Sequence, residues 1–116
     1  MKTLLAAALL IASNVLAQAS VLLVPLHFHT VQEAINASVD GDMIIVADGT
    51  YKENINFGGK DVWLRSWNKH GAVIIGQGSW QNPSPVVSFI NGETNNAVLD
   101  GFVVRNGTGF HMPGSG

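Results

Sequence analysis

Trp63, Arg65 and Trp67 are the residues of this chain whose types and spacing could do chemistry. Alternate positions of an extended segment share one side. With Val62, Leu64 and Ser66 facing inward, the two indoles and the guanidinium face outward together. Aromatic planes cover the apolar faces of sugar rings, and a guanidinium pairs with carboxylates. The trio therefore predicts a glycan-binding surface suited to acidic sugars. The competing expectation is that the loop from Gln77 to Pro85, which carries Trp80, folds over this face and buries it.

Other reactive types are present without an evident constellation. Glycoside hydrolysis uses two carboxyl groups about 5–9.5 Å apart across the scissile bond. Asp40, Asp42, Asp48, Glu53, Asp61, Glu93 and Asp100 are spread over turns and strand starts, and no two form a clear common face. β-Elimination needs a positioned base; Arg65 and Arg105 have the type but read as solvated outward residues. His27 and His29 alternate and could face a metal together, but no cysteine or nearby third ligand accompanies them. Asp48-Gly49-Thr50-Tyr51 reads as a tight turn with Tyr51 packed beside it, rather than as a calcium site needing six to eight oxygens. This segment is thus expected to hold no catalytic residue, metal or cofactor, and to be inactive alone.

The elements that must position the trio show in an internal echo at an offset of 18 residues. Ile44 and Val46 recur as Val62 and Leu64, Ile55 and Phe57 as Val73 and Ile75, and Gly58 as Gly76. Each pair is spaced by two, so each marks a short strand with one buried face. Two strands per repeat, joined by Asp48-Gly49-Thr50 and then by Trp67-Asn68-Lys69, predict an all-β fold, a parallel β-helix in which like residues pile above like. Ahead of them, Thr30-Val31-Gln32-Glu33 fits a capping box, and Val31, Ala34 and Ile35 share one helical face. That short α-helix is expected to cover the open edge of the first coil. Val21–Val24 reads as an entry strand, 76–85 as a loop, and Val87 and Phe89 with the strand from Val98 to Val104, up to Asn106-Gly107, as a third coil made longer by that loop.

Composition sets the outer limits. Lys2, the apolar run from Leu4 to Ala12 and the small residues before position 20 predict a signal peptide over 1–19, too short for a permanent membrane span. The remainder, 20–116, is one domain at most. A secreted chain with no cysteine must hold itself by packing and hydrogen bonds. A net charge of −2 with six Lys plus Arg argues against a nucleic-acid partner. The Gly- and Pro-containing tail from Gly109 has nothing to cap a solenoid, so the chain is expected to be the N-terminal piece of a longer protein, open to self-association at its last coil edge.

Thr30–Ile35, then Gly41-Asp42, then Ile44–Ile55 resemble the opening of pectin-lyase-like right-handed parallel β-helix proteins, and Val98–Gly107 resembles a later coil of that superfamily. The resemblance implies a secreted or cell-surface protein related to polysaccharide binding or processing. It also implies a possible parent enzyme (lyase, hydrolase or pectin methylesterase-like esterase) whose catalytic coils, and any Ca²⁺, lie downstream. The alternative it leaves open is a noncatalytic surface adhesion or structural β-helix protein.

Overall fold

The computed structural model describes residues 19–107, so the expected signal peptide, apart from Ala19, and the tail from 108 lie outside the described residues. Short runs of β-branched and aliphatic residues set the architecture. They form β1 (Val21–Val24), β2 (Met43–Val46), β3 (Gly49–Lys52), β4 (Ile55–Asn56), β5 (Trp63–Ser66), β6 (Ala72–Ile75), β7 (Val87–Ser88), β8 (Val98–Asp100) and β9 (Val103–Arg105). One short helix, α1 (Val31–Ala37), lies between β1 and β2. The described fold is mostly strand, and every strand pairing is parallel.

Parallel neighbours cannot be joined by a hairpin. The link from β1 to β2 runs through α1, and each later link between paired strands runs through strands of the other sheets. Three sheets result, in the orders β1-β2-β5-β8, β3-β6-β9 and β4-β7. In the first, Leu22, Ile44, Leu64 and Leu99 are successive register partners, and Val24, Val46 and Ser66 form the next column. The first three of the Leu22 column and all of the second are buried. Ser66 keeps its buried hydroxyl satisfied by donating to the Asn68 carbonyl at 2.6 Å and accepting from Ala72 N–H at 2.9 Å. Ile55, Phe57 and Ile74 complete the interior from the other sheets.

The structure departs from the 18-residue echo in four ways. Ile44 lies opposite Leu64, not Val62, a separation of 20 residues (44 to 64). The shift is even, so Val62 and Leu64 both still face inward and are fully buried. The segment expected as a turn at Asp48-Gly49-Thr50 is largely strand β3, so there are three strands per unit rather than two. Val73 pairs with Thr50 rather than stacking on Ile55, whose partner is Val87. That separation is odd (50 to 73), which exchanges the faces: Ala72 and Ile74 are buried, whereas Val73 and Ile75, expected inside, are only half-buried. The odd residue is absorbed between Trp67 and Gly71, where His70 takes a left-handed φ of 65°. Gly58 and Gly76 are not equivalent either. Gly58 needs its positive φ of 63°, while Gly76 is buried because Val86 and the Asn106 carbonyl press on it.

The helix is held at both ends. Thr30 Oγ1 accepts from Glu33 N–H at 3.1 Å, as the capping pattern predicts. The carboxylate of Glu53, arriving from beyond β3, accepts from Val31 and Gln32 N–H at 2.9 and 3.0 Å. Gln32 and Asn56 then exchange two bonds, Asn56 N–H to Oε1 at 2.8 Å and Nε2 to the Asn56 carbonyl at 2.9 Å. The Gln32 amide thus supplies what a neighbouring peptide group would supply to β4. Lys60 Nζ closes the far end on the Ile35 and Asn36 carbonyls. Val31, Ala34 and Ile35 are buried in the core, as their spacing predicts.

Gly76→Ala should be a costly substitution. Its Cβ would lie 2.6 Å from a Val86 methyl and 2.8 Å from the Asn106 carbonyl oxygen. Chemical denaturation should show a loss of about 2 kcal/mol, the usual scale of overpacking. A loss within ~0.5 kcal/mol would mean that β6 and the segment after β9 do not approach as described.

Candidate functional site

The outer side of the first sheet is built by the same alternation that fills its inner side. Val21, Met43, Trp63 and Val98 form one outward row, and Leu23, Ile45, Arg65 and Asp100 form the next. Trp67 extends β5 by one more ladder bond, its N–H donating to the Val46 carbonyl at 2.8 Å. Trp63, Arg65 and Trp67 therefore lie on one side, as their spacing predicts. Four residues apart on one strand, the Cα atoms of the two tryptophans are spaced about 13 Å. The 77–85 loop leaves the face open: Trp67 is 66% exposed and Trp80, expected to cover it, is itself 77% exposed.

Within the trio, roles differ. The Arg65 guanidinium sits over the Trp63 ring, 5.1 Å from its centroid. Trp63 Nε1 donates to Asp100 Oδ2 at 3.3 Å. Charge above the ring and a carboxylate at its N–H together fix the Trp63 plane. Trp67 has no such clamp among the described residues and forms one wall of an apolar groove of about 300 Å³, with Leu23, Pro25, Leu26, Ile45 and Ala47. Trp63 borders a second hollow of about 350 Å³, whose other walls include Asp40, Asp42, Asp61 and Asn96.

The apolar groove was not foreseen, though a signal for it was present. Val21–Val24 and Met43–Val46 are apolar at every position rather than at alternate ones. Continuous apolar strands are characteristic of sheets with two apolar faces. The pairing of Asp100 with the indole of Trp63 depends on the β5–β8 register and has no local signature.

The carboxylates considered for catalysis all accept hydrogen bonds that tie one segment to another. Asp40 takes Asp61 N–H, and Asp61 takes the N–H and hydroxyl of Thr94. Asp42 accepts from Ser20 and Val39 N–H, and Asp48 from the Asn68 amide. Glu93 accepts from Gly59 and Asn91 N–H. His27 Nδ1 accepts from Leu23 N–H at 3.2 Å, while His27 N–H donates to the Leu23 carbonyl. His27 thereby closes part of the β1 edge. Among the described residues, no three His, Asp or Glu side chains converge as metal ligands would. Nor, among them, is any helix long and apolar enough to cross a membrane.

Three comparisons with known proteins give nothing further: no protein-family model, no curated protein and no solved structure matches the chain.

Tyr51, the chain's single tyrosine, offers a spectroscopic check on this side of the fold. Its hydroxyl donates to the Ala47 carbonyl at 2.8 Å. Burial, then the neighbouring Glu53 and Asp48 carboxylates, push the phenol above its ordinary value. The neutral phenol is thus the form the fold favours. Its stabilisation is complete below the unfolded value of about 10 and is lost as pH rises through the higher folded value. Phenolate absorbance of the folded protein should therefore rise at higher pH than in denaturant. Coincident curves would place Tyr51 in open solvent.

Proposed function

We propose that this chain belongs to a secreted or cell-surface right-handed parallel β-helix protein, and that its outer tryptophan face binds polysaccharide. The solenoid reading is supported by parallel pairing throughout and by inward columns of register partners. The observation that carries the binding reading is the exposure of Trp63 and Trp67 on one strand, each bordering a hollow. Surface indoles in an otherwise solvated position favour the ring faces of sugars. With backbone positions about 13 Å apart, they suit a short run of sugar units rather than one ring.

Binding without catalysis is the better-supported form of this proposal. The carboxylates named above are engaged in holding segments together, which leaves the tryptophan face to supply contact area and orientation. The contact is small, so affinity should be modest, with Kd on the order of 1 mM.

Titration of the protein with soluble polysaccharides, followed by tryptophan fluorescence and calorimetry, tests the reading. Trp67→Ala should weaken binding about tenfold, a loss of ~1.4 kcal/mol, without lowering the thermal midpoint, because an exposed side chain contributes little to folding. Wild type and the Trp63→Ala/Trp67→Ala double variant binding alike would remove the face from the account.

A further inference from the structure

We infer that the Trp63–Trp67 face selects uncharged polysaccharide over acidic polysaccharide; this rests on the glycan-binding reading proposed above. The sequence pattern pairs aromatic residues with Arg65, a combination suited to a carboxylate ligand. The surroundings of Arg65 point the other way. Its guanidinium lies over the Trp63 ring at 5.1 Å, where its charge is directed into the indole face. Its register partner on β8 is Asp100, whose carboxylate also accepts the Trp63 N–H. A ligand carboxylate at Arg65 would have to compete with a resident carboxylate beside it and a resident aromatic plane beneath it.

The two ends of the face give the same answer. The hollow at Trp63 is lined by Asp40, Asp42, Asp61 and Asn96; Asp42 is buried, which leaves Asp40 and Asp61 as the accessible acids. Carboxylates accept hydrogen bonds from sugar hydroxyls but repel a uronate. The groove at Trp67 offers only apolar walls, in which a carboxylate loses its hydration without gaining a partner. Lys69 follows in the exposed loop after Trp67, next to Asn68, whose amide is tied to Asp48. Aromatic faces, hydroxyl acceptors and a guanidinium already seated on an indole together describe a surface for sugars bearing hydroxyls, ethers or esters.

A polyuronate and its fully methyl-esterified form differ in charge along the same backbone, so they separate the two possibilities. Both would be titrated into the full chain at equal chain length. At low ionic strength the ester should bind about tenfold more tightly than the acid, and the gap should narrow as salt shortens the Debye length to about 10 Å at 0.1 M. Asp100→Asn keeps an acceptor for the Trp63 N–H while removing the charge. It should improve acid binding about threefold and leave ester binding within about twofold. Trp67→Ala should weaken ester binding, which distinguishes the face from nonspecific adsorption.

Tighter or equal binding of the acid form would overturn the inference while leaving glycan binding intact. Failure of both polymers, and of an uncharged galactan, would overturn the glycan reading and this inference with it.

Discussion

The parallel backbone ladder through β1, β2, β5 and β8 is the interaction on which the rest depends. Its register decides what stacks inside, from Leu22 through Ile44 and Leu64 to Leu99, and what aligns outside, from Leu23 through Ile45 and Arg65 to Asp100. A slip of one residue would exchange these faces, placing the indoles in the core and leucines in water. Ladder ends are the weak points of such an arrangement, since edge peptide groups seek partners. Side chains meet that need on the first strands: Gln32 pairs with the Asn56 peptide of β4, and His27 with the Leu23 peptide of β1.

Polar side chains that look catalytic in a sequence serve here as ties between distant segments. Asp40 and Asp61 relay a contact from one turn to the next, ending at Thr94. Glu53 fastens the helix start and Lys60 its end. A charge-assisted bond to a backbone N–H is stronger than a neutral one. Such bonds suit a chain without cysteine, because they fix loops whose apolar content is too low to pack. Chemistry is thereby left to residues whose functional groups face outward, chiefly the tryptophans.

Some of this was legible in the sequence. The helix and its Thr30 cap are local, so their pattern suffices. The outward placement of Trp63, Arg65 and Trp67 follows from alternation within one strand and survives any even slip in pairing. The faces of β6 were misassigned because they depend on how many residues the 67–71 loop absorbs. His70 takes the left-handed conformation there; histidine is enriched in that region yet only a small minority of histidines adopt it, so its presence alone does not announce the turn. The groove beside Trp67 joins Pro25 and Leu26, after β1, to Ile45 and Ala47 from the β2 segment. Its existence depends on the same parallel register and could not be read from any one segment.

Engineered cysteine pairs test that register most directly, because the natural chain contributes no thiol of its own. Neighbouring strands lie about 4.8 Å apart, within the Cα separation of roughly 4.4–6.8 Å that a disulfide requires. Ile45 and Arg65 are register partners, whereas Ile45 and Trp63, the pair implied by an 18-residue repeat, are displaced by two positions. That displacement puts their Cα atoms roughly 8 Å apart, beyond easy bridging. The account predicts rapid intramolecular oxidation of the Ile45→Cys/Arg65→Cys variant and little of the Ile45→Cys/Trp63→Cys variant. Preferential closure of the second pair would shift β5 by two residues along β2; the indoles would still face outward, but the outer rows that set Trp63 beside Met43 and Arg65 beside Ile45 would be contradicted.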